Sequence, residues 1–121
     1  MAKKILIIED EEDQVKMLSM RLEVMGFNVV AAFDGENGLK KVRDERPDLV
    51  LLDVILPGMD GFELCREIKK DPETKDIPVV MITASGARDI ELKCTACGSD
   101  GFLKKPYESV DLVDTIKSLV K

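Results

Sequence analysis

Five residues carry chemistry that the rest of the chain does not need for folding: Glu9, Asp10, Asp53, Thr83 and Lys105. Each ends or directly follows a short apolar run. Glu9 and Asp10 follow KILII, Asp53 follows LVLL, Thr83 follows IPVVMI, and Lys105 comes just after Phe102-Leu103. Brought together, three carboxylates repel, so they must take up protons or a cation. An all-oxygen set of this kind suits a hard divalent ion, and Mg²⁺ typically takes few carboxylates together with waters and phosphate oxygens. A carboxylate beside such an ion can attack phosphorus and form an acyl phosphate. The Lys105 ammonium and the Thr83 hydroxyl would then neutralise and hydrogen-bond the phosphoryl oxygens. Glu11, Glu12 and Asp13 complete the EDEED run and are read as helix-start acids, favourable to the helix dipole by ~0.3–1 kcal/mol each.

These residues can meet only if the elements that precede them form one sheet. A strand is expected over Lys4–Ile8. From Asp13 onward, Val15, Leu18, Leu22 and Met25 recur at helical spacing up to Gly26. Phe27–Ala32 reads as a second strand, and Asp34 as the N-cap of a helix through Leu39 and Val42 that stops before Pro47. Leu49–Leu52 is a buried third strand ending at Asp53, and Pro57-Gly58 and Asp60-Gly61 mark a turn-rich loop. A helix over Phe62–Lys70 turns Cys65 and Ile68 inward, and Ile77–Ile82 is a fourth strand ending at Thr83. A weaker helix spans Arg88–Cys97 with Gly98 as its cap. Phe102-Leu103 forms a short fifth strand before Lys105-Pro106. A last helix begins near Glu108 with Leu112, Val113, Ile116, Leu119 and Val120 on its apolar stripe.

This alternation with near-continuous apolar strands implies a parallel sheet covered on both faces. The expected fold class is α/β: a flavodoxin-like (βα)5 three-layer sandwich with strand order 2-1-3-4-5. In such sheets ligands bind beyond the carboxyl ends of the strands, at the switch point between strands 1 and 3. Glu9, Asp10 and Asp53 fall there, and Thr83 and Lys105 arrive at the same edge.

Bulk composition narrows the function. The chain has 121 residues, 45% of them hydrophobic and 35% charged, which fits one globular domain. A net charge of −6 argues against direct nucleic-acid binding. No apolar run approaches the ~20 residues of a membrane span and no signal peptide precedes the first strand, so a cytoplasmic location is expected. An odd count of three cysteines argues against a disulfide framework, and Cys94 and Cys97, a CxxC inside a helix, are read as packing. The chain has no histidine, so a histidine triad, a His-ligated zinc site and autophosphorylation on histidine are excluded.

Glu9-Asp10, Asp53 followed by LPGMDG at Leu56–Gly61, Thr83-Ala84, Gly98, Phe102 and Lys105-Pro106 occur in order and at the matching strand ends. On these residues the chain resembles a response-regulator receiver domain of the two-component phosphorelay family across essentially its whole length. The resemblance implies one receiver domain over residues 1–121, with no output domain in this sequence, and Asp53 as phosphoacceptor. It implies Asp10 as a direct Mg²⁺ ligand, Glu9 as a ligand through water, and the backbone carbonyl of Ile55 as a further ligand. Thr83 would be the switch hydroxyl, Lys105 the phosphate-binding lysine and Phe102 the aromatic that changes rotamer. Lys104 should be merely exposed.

The phosphodonor implied is a histidine kinase or histidine phosphotransfer protein. The output implied is a downstream protein target at the face formed by the fourth helix, fifth strand and fifth helix, with room for a phosphorylation-dependent dimer. The chain would act on its own Asp53 and not as an enzyme in the usual sense. Rival readings fit less well. A haloacid-dehalogenase-type phosphatase wants a second Asp where Ile55 stands. The EDEED run would repel a flavin phosphate, and the chain lacks both GxGxxG and a P-loop. The remaining alternative is a receiver-like adaptor that binds partners without phosphorylation.

Overall fold

The computed structural model describes residues 2–84 and 87–120. Five strands, β1 (Lys4–Ile8), β2 (Asn28–Ala32), β3 (Leu49–Asp53), β4 (Val79–Thr83) and β5 (Gly101–Lys104), alternate with α1 (Glu12–Val24), α2 (Gly35–Glu45), α3 (Gly61–Lys70), α4 (Arg88–Ala96) and α5 (Ser109–Leu119). The sheet is parallel throughout, in the expected order β2-β1-β3-β4-β5.

Alternation along the strands sorts the core into two layers. Ile5, Ile7, Leu49, Leu51, Val80, Ile82 and Leu103 pack with Val15, Leu18 and Leu22 of α1 and Leu112 and Ile116 of α5. Leu6, Ile8, Val50, Leu52, Val79 and Met81 pack with residues of α2, α3 and α4. The apolar runs of β1 and β3 are thus buried on both faces, as a parallel sheet between helix layers requires.

Element ends differ from the sequence expectation where local chemistry intervenes. β4 starts at Val79 and not Ile77, because the Ile77 N–H bonds back to Thr74 in a turn and Pro78 has no N–H to offer the ladder. β2 begins one residue after Phe27, whose N–H is held by Leu22 as α1 closes. Gly26, just past α1, has φ +94°, a conformation that favours glycine. On α5 only Leu112 and Ile116 are fully buried, and Val113, Leu119 and Val120 lie at the margin of the stripe. Asp34 caps α2 as expected, its Oδ1 accepting the Asn37 N–H at 2.8 Å.

Candidate functional site

The register places the first two carboxylates side by side. Ile5 pairs with Leu49 and Ile7 with Leu51, so the ladder continued by two residues sets Glu9 next to Asp53, on the face covered by α1 and α5. Glu9 is buried, and its Oε2 accepts the Glu11 N–H at 3.3 Å, which helps start α1, whose N-cap side chain makes no cap bond. Asp53 directs Oδ1 to the Ile55 N–H at 2.9 Å. Gly61 lets α3 begin beneath it, since a Cβ there would collide with the Asp53 carbonyl oxygen. The Gly61 N–H bonds the Val54 carbonyl, closing the β3–α3 loop at 2.9 Å.

Lys105 arrives from just past β5, and its ammonium donates to Glu9 Oε1 and Asp53 Oδ2, each at 3.2 Å, and to Gln14 Oε1 at 2.8 Å. Burial pushes the lysine down, but the Asp53 and Glu9 carboxylates outweigh it and hold it above its ordinary value. Burial pushes Glu9 up to about 7. The hydrogen bond and charge of Asp53 and a hydrogen bond with Asp10 act in the same direction, and the Glu11 N–H opposes them. Asp10 lies exposed at the rim.

Glu9, Asp10, Asp53 and Lys105 therefore sit together, with a formal charge of −2 (three carboxylates, one ammonium) in an all-oxygen donor set. Among the described residues no three acidic or cysteine side chains form a metal cage by themselves. Mg²⁺ needs none, because it keeps several waters and uses one or two carboxylates. The donor chemistry and the unbalanced charge fit such an ion.

Thr83 is buried at the end of β4, where it pairs in register with Lys104, and Met81 pairs with Phe102. Alternation puts Thr83 and Phe102 on the opposite face from Lys105, toward α4. Phe102 is 37% exposed. Ile55 presents an exposed side chain beside Asp53. Lys104 is exposed, as expected. Cys65, Cys94 and Cys97 are free thiols in the core, where burial pushes Cys65 and Cys94 up, the latter to about 11, so packing is their role.

Sequence reasoning missed Gln14. Its signal was a long polar side chain next to Val15 and four residues before Leu18, on the stripe of α1 that faces the sheet.

The sequence pattern of the response regulator receiver domain matches residues 5–117. The chain belongs to that family. It is 40% identical to the response regulator PleD of Caulobacter vibrioides over 121 residues, all of this chain and 27% of PleD. It is 35% identical to the phosphate regulon transcriptional regulatory protein PhoB of Rhizobium meliloti, over all of this chain and 53% of PhoB. The receiver thus spans about a quarter to a half of these relatives. Among solved structures, the chemotaxis response regulator CheY4 of Vibrio cholerae superposes with a TM-score of 0.92 at 28% identity, covering 99% of this chain and 100% of that one. Among the described residues no helix is long and apolar enough to cross a membrane.

Proposed function

We propose that this receiver domain accepts a phosphoryl group on Asp53 and passes the change to a protein partner through the face formed by α4, β5 and α5. The observation that carries the reading is the Lys105 ammonium, held 3.2 Å from both Glu9 and Asp53 at the carboxyl end of β3. A lysine placed there can neutralise charge that develops on a phosphoryl group in transit to Asp53.

The chain has no histidine, so the donor is another molecule, a histidine kinase or a histidine phosphotransfer protein. As an Asp53 carboxylate oxygen forms its bond to phosphorus, the P–N bond of the donor's phosphohistidine breaks. The imidazole leaves with the bonding pair and takes up a proton. Asp10 and Asp53 would hold Mg²⁺ directly, Glu9 would hold it through water, and the Ile55 carbonyl would be the further ligand. When bound, the ion neutralises the carboxylates and the phosphoryl oxygens.

The product brings about two negative charges and new acceptor oxygens to the strand edge. Thr83 donates its hydroxyl to one of them and moves inward, and Phe102, on the same sheet face of the neighbouring strand β5, rotates into the space this opens. Phe102 carries no hydroxyl, so burying it leaves no polar group without a partner. A charge-assisted bond is strong enough to bias a two-state element by the few kcal/mol required.

Incubation with acetyl phosphate and Mg²⁺ tests the reading. One phosphoryl adduct by intact mass is expected on the parent chain and none on Asp53→Asn. An equal adduct on that variant would overturn the assignment.

A further inference from the structure

We propose that Gln14 is a positioning residue for Lys105, holding the ammonium over Asp53 so that the N–H aimed at Asp53 can pass to an incoming phosphoryl oxygen. This rests on the phosphoacceptor reading of Asp53.

A lysine ammonium has three N–H donors on a flexible four-carbon stem. Here the carboxylates of Glu9 and Asp53 take two, and Gln14 takes the third at 2.8 Å, closer than either carboxylate. The orientation of the Gln14 amide is fixed from its other end, where Nε2 donates to Glu11 Oε2 at 3.1 Å. Oε1 is thereby turned toward the lysine. Gln14 itself is half-buried on the sheet-facing side of α1.

Two features make a third acceptor matter. A void of about 30 Å³, lined in part by Gln14, Glu9, Asp53, Lys105 and Tyr107, adjoins the ammonium and offers it somewhere to fall. The acceptor is also neutral. It orients the ammonium without adding a fourth negative charge that would compete with the phosphoryl group for the lysine. Once Asp53 carries the phosphoryl group, the N–H aimed at Asp53 can turn to a phosphoryl oxygen while Glu9 and Gln14 keep the head group in place.

A double-mutant cycle tests this, with the rate of phosphorylation by acetyl phosphate measured on the parent, Gln14→Met, Lys105→Met and the double variant. Gln14→Met keeps the length of the side chain and removes the acceptor. It should slow phosphoryl transfer about 3- to 10-fold, the scale of one lost hydrogen bond. Mg²⁺ affinity should stay unchanged. In the Lys105→Met background the same change should cost nothing further. The Lys105 ammonium ¹H–¹⁵N resonance, recorded with no phosphodonor present, should weaken in Gln14→Met as the head group loses its third partner. An equal rate in Gln14→Met, a loss that persists undiminished without Lys105, or an unaltered ammonium resonance would each overturn the role of Gln14. A parent chain that takes no phosphoryl group at all would instead overturn the reading of Asp53, and this inference with it.

Discussion

Helices α3 and α4 cover the same face of the sheet but are held in different ways. α3 buries Gly61, Phe62, Leu64, Cys65 and Ile68 within ten residues, and Asp60 caps it by accepting the Phe62 N–H at 2.8 Å. α4 buries only Cys94 within nine residues, and its N-cap, Ala87, has no side chain that can cap. Leu92 on α4 is 59% exposed. Ile90 packs partly buried against the core, and the fully buried anchors of α4 lie at its far end. Cys94 and Cys97 are buried there, and Ser99 Oγ donates to the Cys94 carbonyl at 2.6 Å. Just beyond, Asp100 joins the Lys69 ammonium at 2.6 Å and the Val79 N–H at 2.9 Å. The difference assigns separate duties. α3 is a fixed wall under the Asp53 loop. α4 is pinned at its C-terminal end, and among the described residues its half nearest Thr83, where a proposed signal has to begin, holds no fully buried side chain. Segments with few buried apolar contacts open at the lowest free-energy cost.

The comparison can be broken most sharply by truncating the wall. Leu64→Ala on α3, fully buried, should destabilise the domain by about 2–5 kcal/mol. Leu92→Ala on α4 should cost no more than about 0.5 kcal/mol. Urea midpoints of the two variants check the contrast, and equal losses would mean that α4 is packed as firmly as α3.

An effect of order 1–3 kcal/mol is expected from Glu9→Gln in Mg²⁺-free buffer. Burial and Asp53 raise Glu9 from 4.5 to about 7 in the folded chain. The native state therefore binds more protons than the unfolded chain between those two values. By linkage, stability falls as pH rises through that window, and the deficit is complete above the folded value. Glu9→Gln removes the deficit, so it should be more stable than the parent at pH 8 and close to it near pH 4. Urea denaturation at both pH values reads this directly. A variant no more stable than the parent at pH 8 would mean that Lys105 fully compensates the buried carboxylate.

Smaller still are the cap effects. Asp60→Ala should cost about 0.5–2 kcal/mol by leaving the first turn of α3 without its acceptor. Ala87→Asp, which places a side-chain acceptor at the N-cap position of α4, should gain a few tenths to about 1 kcal/mol. Hydrogen exchange resolved along each helix would show whether the added cap slows opening in α4 alone.

Much of this arrangement could be read from the residues alone. The strands announce themselves as apolar runs, and because four of the five end at or just before Glu9, Asp53, Thr83 or Lys105, the topology brings those residues to one edge. The structure adds that strand parity separates Glu9, Asp53 and Lys105 from Thr83 and Phe102. What escaped were contacts set by side-chain reach across distant elements. Gln14 meets Lys105 across 91 positions, and no local pattern records that. The Lys69–Asp100 pair that pins α4 is likewise invisible in sequence, since either residue alone reads as an ordinary exposed charge. The start of β4 was set too early because Ile77 has strand character, and the turn closed by Thr74 overrides it.

Amide NMR shifts with and without beryllofluoride and Mg²⁺, on the parent and on Thr83→Ala, test the central claim most directly. Charge at Asp53 should perturb residues 87–108, covering α4 and β5, well beyond any change in α3 past its first turn. Thr83→Ala should still bind beryllofluoride at Asp53, with the perturbation of α4 and Phe102 largely lost. Equal perturbation of α3 and α4, or the same shifts in Thr83→Ala as in the parent, would contradict the account.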